Sequence, residues 1–329
     1  MLTDQFQNVP DREEAARREV VVNNAGALLA HHFLSVQSPQ LLLDMDGVIL
    51  QSDSLDVPKL TTLDVVPTLQ LLEAQGVSIG PATGRGMHAV NFLRNQGLKF
   101  SGPAILEEGQ VIVQNGIASH LGHPNHEKFI NTVRATMEHD AECLPTWNDV
   151  QEEVQSGKFA FSPGNFQWQG TSTAKYWFQY IGEDLRDSEI ISTKFQPRLQ
   201  TLASQAELDY DRDVELRVYR MQPSAKNGNL AIITVKGKLD GKIIDKGVAA
   251  KRLSGTWGFV ADGFGDTPLA KISKIRSGVV IGIEGNLDIT KDAPEFLNLA
   301  DIVLRSPTEF TKALRHAVNI LRSRFKEIE

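Results

Sequence analysis

The stretch Leu41-Leu42-Leu43-Asp44-Met45-Asp46-Gly47 decides the fold. Three apolar residues in a row, set off by Pro39 and ended by Asp44, read as a short strand buried on both faces. Such a strand belongs in a parallel sheet covered by helices, since a strand with one wet face would alternate polar and apolar residues. Its carboxyl end carries two carboxylates, at the edge where open α/β sheets bind ligands. Strand alternation places Asp44 and Asp46 on the same side. Close carboxylates push their proton affinities apart, so one can stay ionised while the other shuttles a proton. Gly47 lets the chain leave the strand tightly. Asp and Gly are also turn residues, and a plain turn stays open on these residues alone.

Outward from this stretch, strand and helix alternate. Val65 to Gln75 has a helical pattern, with Asp64 as its N-cap and Gly76 as its stop. Val77 to Ile79 reads as a strand leading into Pro81-Ala82-Thr83-Gly84-Arg85, and Met87 to Asn95 as a helix closed by Gly97. Ala104 to Leu106 is a third strand, and Val111 to Val113 opens a hairpin. Near the other end, Gly247 to Leu253, Pro268 to Ser273 and Pro307 to Phe325 read as helices. Gly258 to Ala261, Val279 to Ile283 and Asp301 to Leu304 read as the strands between them. This rhythm predicts an α/β fold with a Rossmann-like parallel sheet.

The middle differs. Lys175 to Tyr180, Val214 to Tyr219 and Leu230 to Val235 read as strands, with a helical pattern from Pro197 to Glu207. The simplest organisation is a core of residues 41–122 and 241–329, interrupted by an inserted α+β cap domain at 123–240. Residues 1–40 form an N-terminal helical extension. There Asp11 and Glu14 resemble a capping box, and a helix from Glu13 to Leu34 is interrupted near Asn23-Asn24 or Gly26, with His31-His32 on its surface.

Composition narrows the function. The chain has 329 residues, 41% of them hydrophobic and 23% charged, which excludes dominant disorder and suits two domains. Its 34 Lys and Arg against 41 Asp and Glu give a formal net charge of −7, which argues against a nucleic-acid-coating surface. No apolar run approaches the roughly 18 residues a membrane span needs. Cys143 is the single cysteine, so no intramolecular disulfide forms and no Cys-rich zinc module exists. The N-terminus lacks the pattern of a signal peptide, which makes the cytoplasm the expected location.

Three further segments carry chemistry. Thr83-Gly84-Arg85-Gly86, after a buried strand and before a helix, offers a hydroxyl and free N–H groups to an anion, or simply caps the helix. Lys246 stands at a helix start, where the dipole disfavours cations, so it either faces an anion or lies in solvent. Asp262-Gly263-Phe264-Gly265-Asp266 follows another apolar strand and presents two carboxylates suited to a hard cation such as magnesium, or forms an acidic turn.

Taken together, Asp44-x-Asp46-Gly47, Thr83-Gly84-Arg85, Lys246-Gly247-x-Ala249 and Asp262-x-x-x-Asp266 resemble the four motifs of the haloacid-dehalogenase-like phosphohydrolase superfamily, in family order. The long separation of Thr83 from Lys246 falls where that family inserts its larger α/β cap. The chain is similar to the subgroup that holds Cof-type sugar-phosphate phosphatases, sucrose-phosphate phosphatase, trehalose-phosphate phosphatase and phosphomannomutase. Leu106 to Ile112 resembles the segment that precedes the cap, with Glu108 in place of the usual Asn. Gly265 likewise stands where many members have Asn.

The resemblance implies a magnesium-dependent phosphatase acting on a small phosphorylated metabolite, a sugar phosphate above all. Asp44 is then the nucleophile and Asp46 the acid and base, with Thr83 and Lys246 completing the catalytic set. Gly84, Arg85 and Arg217 bind substrate, and Mg2+ is held by Asp44, Asp46, Asp262 and Asp266. Asp44, Asp262 and Asp266 contribute −3 and a phosphate monoester about −2, of which magnesium and Lys246 together return +3. A phosphomutase and a non-catalytic phosphometabolite-binding regulator are the competing readings. The oligomeric state is not legible. In the cap, Glu215, Arg217 and Tyr219 share one strand face, a candidate substrate surface, with Lys175 and Trp177 as weaker candidates. His120, His123 and His126 read as a loop at the hinge into the cap rather than as a metal cluster, and Cys143 as a structural thiol.

Overall fold

The apolar runs become strands in the computed structural model, which describes residues 12–51, 59–139, 174–181, 186–220, 230–263, 265–284 and 294–326. In chain order the elements are α1 (Arg12–Ser35), β1 (Gln40–Leu43), α2 (Val65–Glu73), β2 (Ser78–Pro81), α3 (Met87–Asn95), β3 (Ala104–Leu106), β4 (Val111–Gln114), β5 (Ile117–His120) and α4 (His126–His139). Then come β6 (Lys175–Ile181), α5 (Arg186–Gln205), α6 (Tyr210–Asp213), β7 (Val214–Arg220), β8 (Leu230–Leu239) and β9 (Lys242–Ile243). The last group is α7 (Lys246–Ala250), β10 (Trp257–Ala261), α8 (Thr267–Ile275), β11 (Val280–Ile283), α9 (Pro294–Leu299), β12 (Ile302–Leu304) and α10 (Pro307–Lys326). Asp11 and Cys143 lie outside the described residues.

The central sheet is five-stranded, in the order β12-β11-β10-β1-β2, and every pairing is parallel. Leu41 and Leu43 pack with Val260 and Ile281 on one face, while Leu42 packs with Phe259 and Ala261 on the other. That two-sided burial is why β1 reads as an unbroken apolar run. Each fully buried leucine contributes about 1.5–3 kcal/mol. Because β1 lies between β10 and β2, the loops leaving their carboxyl ends converge. These are the loops that carry Asp44, Thr83 and Asp262.

A short antiparallel sheet, β3-β4-β5, adjoins this edge, and Ala82 bridges to Ile105. The third sheet is antiparallel, in the order β6-β8-β7, with β9 paired to β8. Its apolar face, including Val214 and Val235, packs on Phe129, Ile130 and Val133 of α4 and on Leu199, Leu202 and Ala203 of α5.

Four local expectations are corrected. Helix α1 is unbroken. Asn23 and Asn24 lie on its exposed side, and Gly26 marks a close helix crossing rather than a stop. A Cβ on Gly26 would come within 2.5 Å of the Ala313 carbonyl of α10. His32 is buried at 5% exposure, and burial lowers its pKa. Asp64 occupies the N-cap of α2 but makes no capping bond with its side chain; its carboxylate pairs with Arg315 at 2.7 Å. Helix α5 begins before Pro197 and runs through it, carried by the buried Leu199, Leu202 and Ala203. Among the described residues, no helix is long and apolar enough to cross a membrane.

Candidate active site

The loop after β1 is a tight turn, in which the N–H groups of Ile49 and Leu50 donate to the Met45 carbonyl at 2.9 and 2.7 Å. Gly47 stands at φ +71, and a Cβ there would lie 2.0 Å from Asp262 Oδ2. Only glycine lets the loop after β10 close on the loop after β1. Just past β2 the Ala82 N–H donates to the Leu43 carbonyl at 2.7 Å, and the Thr83 N–H donates to the Ile105 carbonyl at 2.8 Å. Thr83 is therefore fully buried beside Asp44's strand. Its hydroxyl accepts from the Arg85 N–H at 3.1 Å, and the N-cap of α3 is Gly86. The expectation that Thr83 caps a helix is thus replaced by a local turn.

Lys246 opens α7, whose N-cap Asp245 accepts from the Val248 N–H at 2.8 Å. The helix is held close by two glycines. A Cβ on Gly247 would meet the Pro268 carbonyl at 2.7 Å, and one on Gly109 would meet the Asp245 carbonyl at 2.2 Å. So placed, the buried Lys246 ammonium donates to Asp44 Oδ1 at 3.1 Å and to Asp266 Oδ1 at 2.6 Å. Asp44 Oδ1 also accepts from the Met45 N–H at 2.8 Å.

Charge is unbalanced here. Asp44, Asp262 and Asp266 offer oxygens within 4.8 Å of one another, against the single ammonium of Lys246. Burial, and then the neighbouring Asp266, raise the Asp44 carboxyl well above its ordinary range; Lys246 opposes them. Burial and Asp266 push Asp262 up to about 7. Burial alone would lower Lys246, but Asp266 and Asp44 overcome it and hold the ammonium above its ordinary value. Among the described residues, Asp262 has no ion-pair partner. Three oxygen donors, crowded and short of positive charge, fit a hard divalent cation. Carboxyls raised by burial together with close like charges are common at functional sites.

Asp46 is placed differently. Both its oxygens accept from Arg85 Nε, at 2.8 and 2.9 Å, and Oδ1 also accepts from the terminal guanidinium nitrogen. Arg85, read from the sequence as a substrate contact, thus grips the neighbouring acid. Gly84 lies half-buried between Thr83 and Arg85. Arg217 is not among these contacts. It lies half-buried on β7, in register with Thr234 of β8.

Sequence reasoning missed a second cluster. Glu107, Glu108 and Gly109 all have positive φ, at 53, 59 and 96. Glu107 is buried and accepts the Ala174 N–H at 2.8 Å. The Glu108 N–H donates to the Thr83 carbonyl at 3.2 Å, and its carboxylate accepts from Lys236 Nζ at 3.0 Å. Lys236, 1% exposed, also lies 3.7 Å from Glu215. Gln110 seals the joint by exchanging two hydrogen bonds with the Gly237 backbone. The available signal was Glu108 itself, a long side chain where an Asn is usual. The three histidines divide among β5 (His120), a loop (His123) and the first residue of α4 (His126). Gly265 is exposed, with open space where a Cβ would lie, so packing does not require glycine there.

No protein-family model matches the chain. No match is found among curated proteins. Among solved structures, a haloacid dehalogenase-like hydrolase from Bacteroides thetaiotaomicron is 17% identical with a TM-score of 0.50, over 85% of this chain and 99% of that one. A trehalose-6-phosphate phosphatase related protein is 13% identical at a TM-score of 0.49, over 87% and 99%. Trehalose-6-phosphate phosphatase from Aspergillus fumigatus is 14% identical at 0.47, over 89% and 97%. With the strand order above, the first of these shows the fold. The chain shares that hydrolase's fold, a Rossmann-type parallel sheet with an additional α+β layer.

Proposed function

We propose that the chain is a magnesium-dependent phosphatase that hydrolyses a small phosphomonoester, a sugar phosphate, through a phosphoryl group carried on Asp44. The observation that carries this reading is Lys246, buried between Asp44 and Asp266 with Asp262 beside them, at the carboxyl edge of the parallel sheet. In this reading residues 41–122 and 241–329 form the catalytic core and 123–240 the cap.

Asp44 Oδ1 is committed to Met45 and Lys246, which leaves Oδ2 to attack phosphorus. As that bond forms, the ester P–O bond breaks and the leaving oxygen takes a proton from Asp46. Asp46 then takes a proton from water, which displaces the phosphoryl group from Asp44 and restores its carboxylate. Thr83, whose hydroxyl oxygen already accepts from Arg85, turns its own proton toward a phosphoryl oxygen. Lys246 offsets charge on nucleophile and phosphate alike. Bound magnesium supplies further charge neutralisation and a fixed approach of phosphate to carboxylate, with Asp44, Asp262, Asp266 and the Asp46 carbonyl as its holders. For the leaving group, the half-buried Arg217 on the polar face of β7 offers a hydrogen-bonding group, which suits a polyhydroxylated moiety better than an apolar one.

The test is phosphate release from a panel of phosphomonoesters, with magnesium and with chelator, for wild type and Asp44→Asn. Magnesium-dependent release that disappears in the variant is expected. Release that survives Asp44→Asn, or no release from any ester, overturns the reading.

A further inference from the structure

Asp46 sits in a difficult place for an acid. Its charge acts on both Asp44 and Asp262, and its side chain is 36% exposed. Left alone, a carboxylate facing that many like charges would swing toward water. Arg85 opposes this: its Nε–H is shared between both Asp46 oxygens and its terminal nitrogen donates to Oδ1, a charge-assisted contact that restrains the carboxylate. The grip is itself built in. The Arg85 side chain is 11% exposed, its N–H is fixed on Thr83 Oγ1 at 3.1 Å, and its carbonyl accepts the Glu107 N–H at 3.1 Å. The arginine is therefore anchored at once to the phosphate-side threonine and to the positive-φ turn between β3 and β4.

Resting on the phosphatase reading, we propose that Arg85 is a positioning residue for Asp46, aiming the carboxyl at the leaving oxygen against the repulsion of Asp44 and Asp262. A positioning role has a signature that a phosphate-binding role lacks. Proton donation matters for an alkyl phosphate, whose alkoxide is a poor leaving group, and hardly matters for an aryl phosphate such as p-nitrophenyl phosphate. A group that positions the acid must therefore affect the two esters unequally.

The experiment compares kcat and KM for an alkyl phosphate and p-nitrophenyl phosphate in wild type, Arg85→Ala, Arg85→Lys, Asp46→Asn and the Arg85→Ala/Asp46→Asn double variant. Arg85→Ala is expected to lower kcat on the alkyl ester by at least about tenfold, part of the roughly 10^2–10^4 that an acid supplies, with less than about threefold on the aryl ester. Arg85→Lys restores part of the alkyl rate, and in the Asp46→Asn background Arg85→Ala changes the alkyl-to-aryl ratio no further. Equal losses on both esters, or additive effects in the double variant, overturn the assignment. Should Arg85→Ala not fold, Arg85→Lys carries the same comparison of ratios. A wild type that releases phosphate from neither ester fails the phosphatase reading first and takes this assignment with it.

Discussion

Two buried lysines, ten positions apart, are each set between two carboxylates. Lys246 lies between Asp44 and Asp266, and Lys236 between Glu108 and Glu215. The resemblance ends at the charge count. Around Lys246 a third carboxylate, Asp262, leaves two negative charges in excess. Around Lys236, Arg217 and Lys238 also act on Glu215, so two carboxylates face three cations. The first cluster is electrically unfinished and draws in positive charge and an anion together. The second is not short of positive charge within the protein. It joins the loop beside Thr83 to β7 and β8, as a clasp would. A buried ion pair is weak evidence of stability, but it fixes geometry well.

The largest effect that separates them is expected at Lys246. Replacing it with Met should reduce phosphate release by on the order of 10^2–10^3 or more, the scale of losing one preorganised charge partner. It also leaves three crowded carboxylates with no cation, so thermal unfolding of Lys246→Met should become strongly dependent on magnesium. Wild type should show a smaller magnesium shift, and Lys236→Met the same shift as wild type. A Lys236→Met protein whose magnesium response differs from wild type would mean that the two clusters are one.

The contrast also explains what the sequence could tell. Asp44, Thr83, Lys246 and Asp262 each follow an apolar strand or open a helix, so local pattern places them at one sheet edge. The strands of the parallel sheet were legible because β1 and β10 are buried on both faces. The partner of Arg85 was not, because nothing local distinguishes a guanidinium turned to phosphate from one turned back 39 positions to Asp46. Glu108 and Lys236 are 128 positions apart and meet only once the third sheet has docked. Asn23, Asn24 and Gly26 misled because helix propensity ignores packing, and Gly26 sits where α10 needs room.

Lys236→Met gives the next effect. It leaves Glu108 and Glu215 facing each other with one cation fewer. The expected cost is about 3 kcal/mol, the low end for breaking a buried pair, since Glu108 keeps some contact with water. Chemistry at Asp44 should survive, so KM should rise several-fold while kcat changes less. Chemical denaturation of Lys236→Met, Glu108→Gln and their double variant tests the pairing. The double variant should be less unstable than the two single losses added together. Strict additivity would show that Lys236 and Glu108 merely lie close.

The smallest effect concerns the same joint from its other side. His126 lies against Gly237, is 1% exposed, and has Nε2 3.0 Å from the Ala174 carbonyl. Burial lowers its pKa to about 4; the Ala174 bond and Asp213 oppose that shift, while His120 and His123 reinforce it. A histidine whose pKa is depressed on folding binds protons more readily when unfolded. Its contribution is therefore intact above about pH 6.5 and is lost as the pH falls toward 4. The loss amounts to about 1 kcal/mol at pH 6 and about 2 kcal/mol at pH 5. Asp44 and Asp262 act in the opposite direction, because carboxyls raised by burial favour the fold as they take up protons. Wild type alone would mix the two clusters. The difference between wild type and His126→Gln isolates the joint, since glutamine can still donate toward Ala174 but does not titrate. If the two unfolding midpoints run parallel from pH 7 to pH 5, His126 does not hold the joint as a neutral group. If they converge on acidification, the joint weakens in acid while the carboxylates around Lys246 tighten, and the two clusters are separated by the sign of their response as well as by its size.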